Sequence, residues 1–374
     1  MKKIKKIGII TGGGDCSGLN AVISGITKTA ITSYGLEVIG YTRGYFGLYH
    51  NDFQVLDLKA VSGIMHEGGT MLKASNKDNL FNFPVEQSDG TYKYEDVSDV
   101  AVKNMKKEGV DALIVIGGDG TLTSARDFHR KGIPVIGVPK TIDNDLPATD
   151  MTFGYNTSLE TITDALDKIH TTAYSHDRIM VVEVMGRNTG WLALEGGLAG
   201  SADVILLPEI PYDLDKVIDK INERDKNGKS FTVIVVSEGA KPKGGDVHVR
   251  EIVSDSADTI RLGGVGDIIT HQLQERIHNH EVRYTNLAYI QRGGITSQFD
   301  RTIGIRFAVE SLSLLMSGKS GTMVRCRGRD ISYVDLEEVV GSGETGETSH
   351  GGAKYVDPKG QIVQAAKAIG ISFG

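Results

Sequence analysis

Cysteine is scarce: Cys16 and Cys326 are the only two in 374 residues. That count excludes a disulfide framework, and no CxxC or Cys/His spacing of a zinc site occurs. Both thiols are expected to be buried, small and unreactive. No run of about 18 apolar residues is present, so no membrane span is expected. Positive charge is not in surplus either: 41 Lys and Arg face 48 Asp and Glu, for a net charge of −7. A general basic surface for nucleic acid is thereby disfavoured. No internal repeat of roughly 20–50 residues is apparent. The N-terminus MKKIKKIGIITGGG is basic, but its apolar run is too short for a signal peptide. A cytoplasmic location is expected.

Glycine, by contrast, is abundant, with 47 residues gathered at the ends of apolar runs. A hydrophobic fraction of 40% and a charged fraction of 24% are those of an ordinary globular protein. The length favours two domains.

Short β-branched and aliphatic runs alternate with segments of helical spacing throughout. IKKIGIIT (4–11) runs into GGGDCSG, and Leu19, Val22, Ile23, Ile26 and Ala30 follow at helical spacing. Strand, glycine loop and helix start is an arrangement that offers backbone N–H groups to a phosphate; a plain tight turn reads equally well there. ALIVIGGDGT then presents Asp119, and IPVIGVPKTIDND presents Lys140, Thr141, Asp143 and Asp145. Successive parallel strands end at one edge of their sheet, so three carboxylates, a lysine and several glycines would meet there. Such a set suits phosphate and magnesium. The pattern restarts after Asp145. Thr157–Glu160 resembles a capping box, RIMVVEV (178–184) and FTVIVVS (231–237) read as strands, and 262–278 as a helix. Val282–Gln291 reads as one strand, 84–94 as a polar loop, and 341–352 as a flexible acidic loop. His170, His176, His278 and His280 lack metal spacing and are read as surface or helix residues.

Four turns carry a resemblance: GGDGT (117–121), PKTIDND (139–145), VEVMGR (182–187) and YIQRGG (289–294). In this order and at these spacings the chain resembles the 6-phosphofructokinase family from Ile4 to about Val340, in the branch that includes both ATP and pyrophosphate users. The resemblance implies an α/β fold of two doubly wound, Rossmann-like parallel-sheet domains with the active site in the cleft between them. The donor domain would occupy 1–154 with 291–340 packed back on it, the fructose 6-phosphate domain 155–290, and a loop and tail 341–374. It implies phosphorylation of fructose 6-phosphate at its 1-hydroxyl by ATP-Mg, a glycolytic step. Its alternatives are pyrophosphate as the donor, or a silent sugar-phosphate-binding paralogue.

By the same resemblance Asp143 is the general base, with Arg187 and Thr141 as catalytic partners. Gly13, Lys77, Gly118, Asp119, Gly120 and Thr121 hold the donor, and Asp119 and Asp145 the Mg²⁺. The sugar phosphate falls to Thr141, Ile142, Asp143, Met185, Gly186, Arg187, Glu238, Tyr289, Ile290, Gln291 and Arg292. Arg178 and Arg283 join them from an adjacent subunit, so a homodimer or homotetramer is implied. No nucleic-acid or membrane partner is expected. Donor choice turns on Gly120 and Lys140. An aspartate at 120 would place charge and bulk where a nucleotide's α-phosphate must pass. Glycine leaves that path open, whereas Lys140 accepts either donor, so ATP is expected. The family's phosphate-bridging arginine aligns with Asn76, where Lys73 or Lys77 would have to substitute without a guanidinium fork.

Overall fold

The computed structural model describes residues 4–75, 79–87, 90–252, 260–343 and 352–374. The chain divides into two compact units. One is built from Met1–Asn156 and Arg292–Gly352, the other mainly from Thr157–Ser254, Asp258–Gln291 and Ala353–Gly374.

The first unit is an eight-stranded sheet whose parallel centre is formed by Glu37–Tyr41, Lys6–Thr11, Ala112–Gly117 and Val135–Thr141, in that spatial order. Ala112–Gly117 is buried along its whole length, as a parallel strand covered on both faces must be. The chain leaves Lys6–Thr11 toward one side of the sheet and later returns on the other beside Ala112–Gly117. The order therefore reverses between those two strands, which is where open α/β sheets hold ligands. Register brings the ends level: Thr11 pairs with Ile116, and Gly117 with Pro139. The expected hairpin at 322–334 is present as Thr322–Arg327 against Asp330–Asp335, and it extends the sheet beyond Val135–Thr141.

The second unit is a four-stranded parallel sheet in the order Val204–Leu206, Thr232–Ser237, Ile179–Val184, Val282–Asn286. Its core combines Val181, Leu206, Ile234 and Val236 with Val217, Ile221, Ile269 and Leu273 from two amphipathic helices.

Local readings needed correction in several places. The helix begins at Tyr155 and runs to His176, so Thr157–Glu160 lies inside it instead of capping it. The last strand ends at Asn286, whose Oδ1 accepts the Ala288 N–H at 2.8 Å. This side-chain turn starts the short 3₁₀ helix Ala288–Arg292, and YIQR lies on it instead of on a strand. The polar loop 84–94 contains a hairpin, Phe83–Glu86 against Tyr92–Glu95; the second strand is exposed along its length, so it shows no alternation. The segment 341–352 lies largely outside the described residues. The tail beyond it is structured: Gln361–Ala368 is helical, and the Ser372 carbonyl accepts the Ile205 N–H at 2.9 Å.

Inside the first unit the helices Leu19–Tyr34 and Gln298–Met316 pack closely. A Cβ added at Gly25 would lie 2.7 Å from the Ala308 Cβ, well inside contact distance. Gly25→Val is therefore expected to destabilise the protein by about 2 kcal/mol through overpacking, measured as a lowered denaturation midpoint.

Candidate active site

Within the first unit the glycine loop after Lys6–Thr11 is pinned by four partners. The Gly12 N–H donates to Ile116 O and the Gly13 N–H to Ser75 O, both at 3.0 Å. Lys140, only 5% exposed, donates its Nζ to Gly14 O at 2.6 Å. Arg292 Nη1 donates to Asp15 O at 3.2 Å, and a Cβ on Gly14 would overlap that guanidinium. The loop thus gathers two cations under a glycine backbone, as a phosphate cradle requires.

Asp119 is the first residue of the helix Asp119–Arg130, in the turn where an anion or its metal is favoured by the helix dipole. Thr121 is buried, and its carbonyl accepts the Tyr45 hydroxyl at 2.9 Å. A Cβ at Gly118 would come within 3.4 Å of Lys140 O, whereas one at Gly120 would meet nothing within 4 Å. The space beside Gly120 is open.

The acidic turn is closed on itself. Lys140 and Thr141 pair with Phe153 and Gly154, and Thr141 Oγ1 accepts the Asp143 N–H at 3.1 Å. Asn144 holds the far side, accepting from Thr152 N at 3.1 Å and donating to Asp150 O at 3.3 Å. Asn144 is buried and left-handed, with φ 48, a conformation asparagine tolerates better than most residues. Ile142 is buried between the half-buried Thr141 and Asp143, and Asp145 is half-buried beyond them.

In the second unit the C-terminal edges of two strands interlock. Gly186 has φ 128, open to glycine alone. Its carbonyl accepts from Ser237 Oγ at 2.5 Å and from Gly239 N at 3.1 Å. A Cβ on Gly239 would overlap Arg187 O. Met185, Gly186, Arg187 and Glu238 are therefore held side by side. Arg187 lines a cavity of about 250 Å³ together with Asn188, Glu209, Gly239, Lys241 and Tyr355. Burial raises the Glu209 carboxyl above its ordinary range, although it accepts the Gly190 and Val356 N–H groups.

Gln291 is buried, with Oε1 accepting the Met185 N–H at 3.3 Å and Nε2 donating to Ala288 O at 3.0 Å. Its side chain is committed to shaping the Met185 turn. Tyr289 and Ile290, its neighbours, are 79% and 60% exposed.

Arg178 and Arg283 lie elsewhere on this sheet. They stand toward the starting edge of Ile179–Val184 and Val282–Asn286, Arg178 roughly 20 Å and Arg283 roughly 13 Å from the level of Val184 at about 3.3 Å per residue. The first unit holds Arg292 and the second Arg178 and Arg283. Lys77 and Asn76 lie outside the described residues, and Lys73 is exposed with φ 60.

Sequence reasoning passed over Glu183 within VEVMGR. It is 1% exposed and accepts from Gly264 N, Gly266 N, Tyr284 Oη and Asn286 Nδ2 at 2.8–3.0 Å. A charge in the middle of an apolar strand was the available signal: such a carboxylate must be fully bonded.

A model of the family described as Phosphofructokinase matches residues 6–315. The chain belongs to the phosphofructokinase family. It is 60% identical over 373 residues to "ATP-dependent 6-phosphofructokinase 2" of Clostridium perfringens, covering 100% of this chain and 99% of that one. It is 43% identical to "Pyrophosphate--fructose 6-phosphate 1-phosphotransferase" of Streptomyces coelicolor, over 89% of this chain and 94% of that one. Among solved structures, Pichia pastoris phosphofructokinase in the T-state superposes with a TM-score of 0.75 at 31% identity; the match covers 91% of this chain and 38% of that longer one. Family membership agrees with the α/β reading of the sequence. No helix among the described residues is long and apolar enough to cross a membrane.

In this phosphofructokinase both cysteines are free and buried, and burial pushes the Cys16 thiol up to about 12, which leaves it unreactive. Burial is also the main influence on Lys140, lowering its ammonium from the ordinary 10.5; Arg292 lowers it further, while Cys16, Asp143 and Asp15 oppose the shift. Between the depressed folded value and 10.5 the unfolded chain binds more protons, so this lysine's contribution to stability increases with pH. Denaturation midpoints of wild type and Lys140→Met, compared across that window, should show wild type gaining on the variant as pH rises.

Proposed function

We propose that this protein transfers the terminal phosphoryl group of ATP to the 1-hydroxyl of fructose 6-phosphate, yielding fructose 1,6-bisphosphate. The observation that carries the choice of donor is the open space beside Gly120, into which a nucleotide's α-phosphate can pass. The 60% identity to an ATP-dependent relative supports the same donor; Lys140, which would serve pyrophosphate equally well, supports the second reading.

In this reading Asp143 accepts the proton of the attacking hydroxyl, with Thr141 ordering its turn through the 3.1 Å bond. Gly13, Gly118 and Thr121 line the donor phosphates, with Lys140 as their buried cation and Lys77 as a further candidate. Met185, Gly186, Glu238, Ile142, Tyr289, Ile290 and Arg292 recognise the sugar phosphate, and Gln291 shapes the Met185 turn. Arg187 offsets the charge that develops in transfer.

Asp119 and Asp145 would hold Mg²⁺. No cluster of three metal-binding side chains exists among the described residues, and the donor set fits an ion that keeps waters and phosphate oxygens around one or two carboxylates. When bound, the ion would neutralise charge on the transferring phosphoryl group.

Arg178 and Arg283 are assigned to the 6-phosphate of a second copy's substrate, because their strand edge is remote from Met185–Arg187 within one chain. The working protein is accordingly a homo-oligomer. The reading places it in the cytoplasm, beside its substrates.

Initial rates with fructose 6-phosphate and Mg²⁺ are expected to be higher with ATP than with pyrophosphate, and the reverse order would refute the donor assignment. Gly120→Asp fits its open space without strain and should cut the ATP rate sharply. Asp143→Asn should lower kcat by about 10² or more with little change in sugar-phosphate binding; a rate near wild type would remove Asp143 as the base.

A further inference from the structure

The strand edge that carries Arg178 and Arg283 is organised by two residues outside every motif. Glu281 stands between the arginines: Oε2 accepts from Arg178 Nε at 2.5 Å, and Oε1 accepts from Arg283 Nη2. Its neighbour His280 bonds in two directions. Nδ1 lies 2.7 Å from the Asp177 carbonyl oxygen, and Nε2 lies 2.9 and 3.0 Å from the two Asp225 carboxylate oxygens. A carbonyl only accepts, so Nδ1 is the donor to Asp177, and Nε2 faces the Asp225 carboxylate. The His280 side chain is 9% exposed, which corrects the expectation of a surface histidine.

Asp177 links the helix Tyr155–His176 to the strand Ile179–Val184 with φ 50. A non-glycine residue there is held by its surroundings, and His280 grips its carbonyl. The next residue is Arg178. Glu281 is tied in as well, its carbonyl accepting the Ile179 N–H at 3.0 Å. Asp225 is braced in turn by Asn279 Nδ2 at 3.0 Å.

We infer that His280, held by Asp225, is a positioning residue for the Arg178–Arg283 pair. It acts on Arg178 through the Asp177 carbonyl and on both guanidinium groups through the adjoining Glu281, touching no substrate itself. The inference rests on the proposed role of the two arginines as ligands of a sugar-phosphate dianion. Two long cationic side chains repel each other and lose rotamer freedom when a phosphate orders them. Glu281 offsets the repulsion and takes one donor from each, leaving the Arg178 terminal fork for an incoming phosphate. That geometry persists only if the backbone beneath both arginines is fixed, because displacements of about 1 Å weaken a polyvalent anion site.

The test compares His280→Gln, Asp225→Asn and Arg178→Ala with wild type, as full chains, with fructose 6-phosphate and ATP as substrates. Glutamine cannot bridge Asp225 and Asp177 as the ring does. His280→Gln should raise KM for fructose 6-phosphate about fivefold while kcat stays within about twofold and KM for ATP is unchanged. Asp225→Asn keeps the Nδ1 bond to Asp177 and a polar partner at Nε2, and should raise the same KM less, about twofold. If Arg178→Ala leaves that KM unchanged, the role of the arginines fails and the inference with it. If Arg178→Ala raises it and a normally folded His280→Gln does not, the inference alone fails. A parallel fall in kcat and melting temperature in both His280→Gln and Asp225→Asn would mark His280 as merely structural and overturn it too.

Discussion

Parallel pairing is the constraint on which the rest of the molecule depends. Once Thr11 is level with Ile116, and Gly117 with Pro139, three chain segments must leave the first sheet at one edge. Their polar turns then share a small region that no single turn could create. Lys140 is the consequence. It is buried against the glycine loop and bonded to Gly14 O, a costly place for an ammonium group that the proposed function would use to meet the donor's phosphates. The protein holds a cation where the free state gains little from it.

The second sheet repeats this logic with different chemistry. Gly186 and Gly239 let two strand ends approach so closely that Arg187 and Glu238 become neighbours. Beneath them Glu183 accepts bonds from the start of the helix Val265–Arg276 and from Tyr284 and Asn286. The turn at Met185–Arg187 therefore sits on a fully bonded carboxylate, and Gln291 buttresses it from the other side. Such preorganisation is what phosphoryl transfer asks of a protein, since positioning and electrostatics supply most of the catalysis.

The two edges of this sheet have separate tasks. Its finishing edge carries Met185–Arg187 and Glu238, whereas its starting edge carries Arg178 and Arg283 clasped by Glu281. Under the proposed function, cations at the edge remote from Met185–Arg187 would serve the substrate of a second copy. His280 and Asp225 give that remote edge its stiffness.

The sequence by itself determined the strands, the glycine turns and the family, because buried parallel strands are continuous apolar runs and phosphate-binding turns need particular residues at fixed offsets. Asp119, Asp143, Arg187 and Glu238 stood out as candidates for this reason: each lies in a turn that ends an apolar run. Tertiary structure alone decided what the intervening polar residues do. Gln291 stands in a motif yet serves the backbone, Asn144 closes the acidic turn, and Glu183, His280 and Glu281 acquire roles largely from partners tens of residues away. Hydrogen bonds between distant segments leave no period in the sequence. The open space beside Gly120 is likewise a property of what surrounds the residue, and only the folded chain displays it.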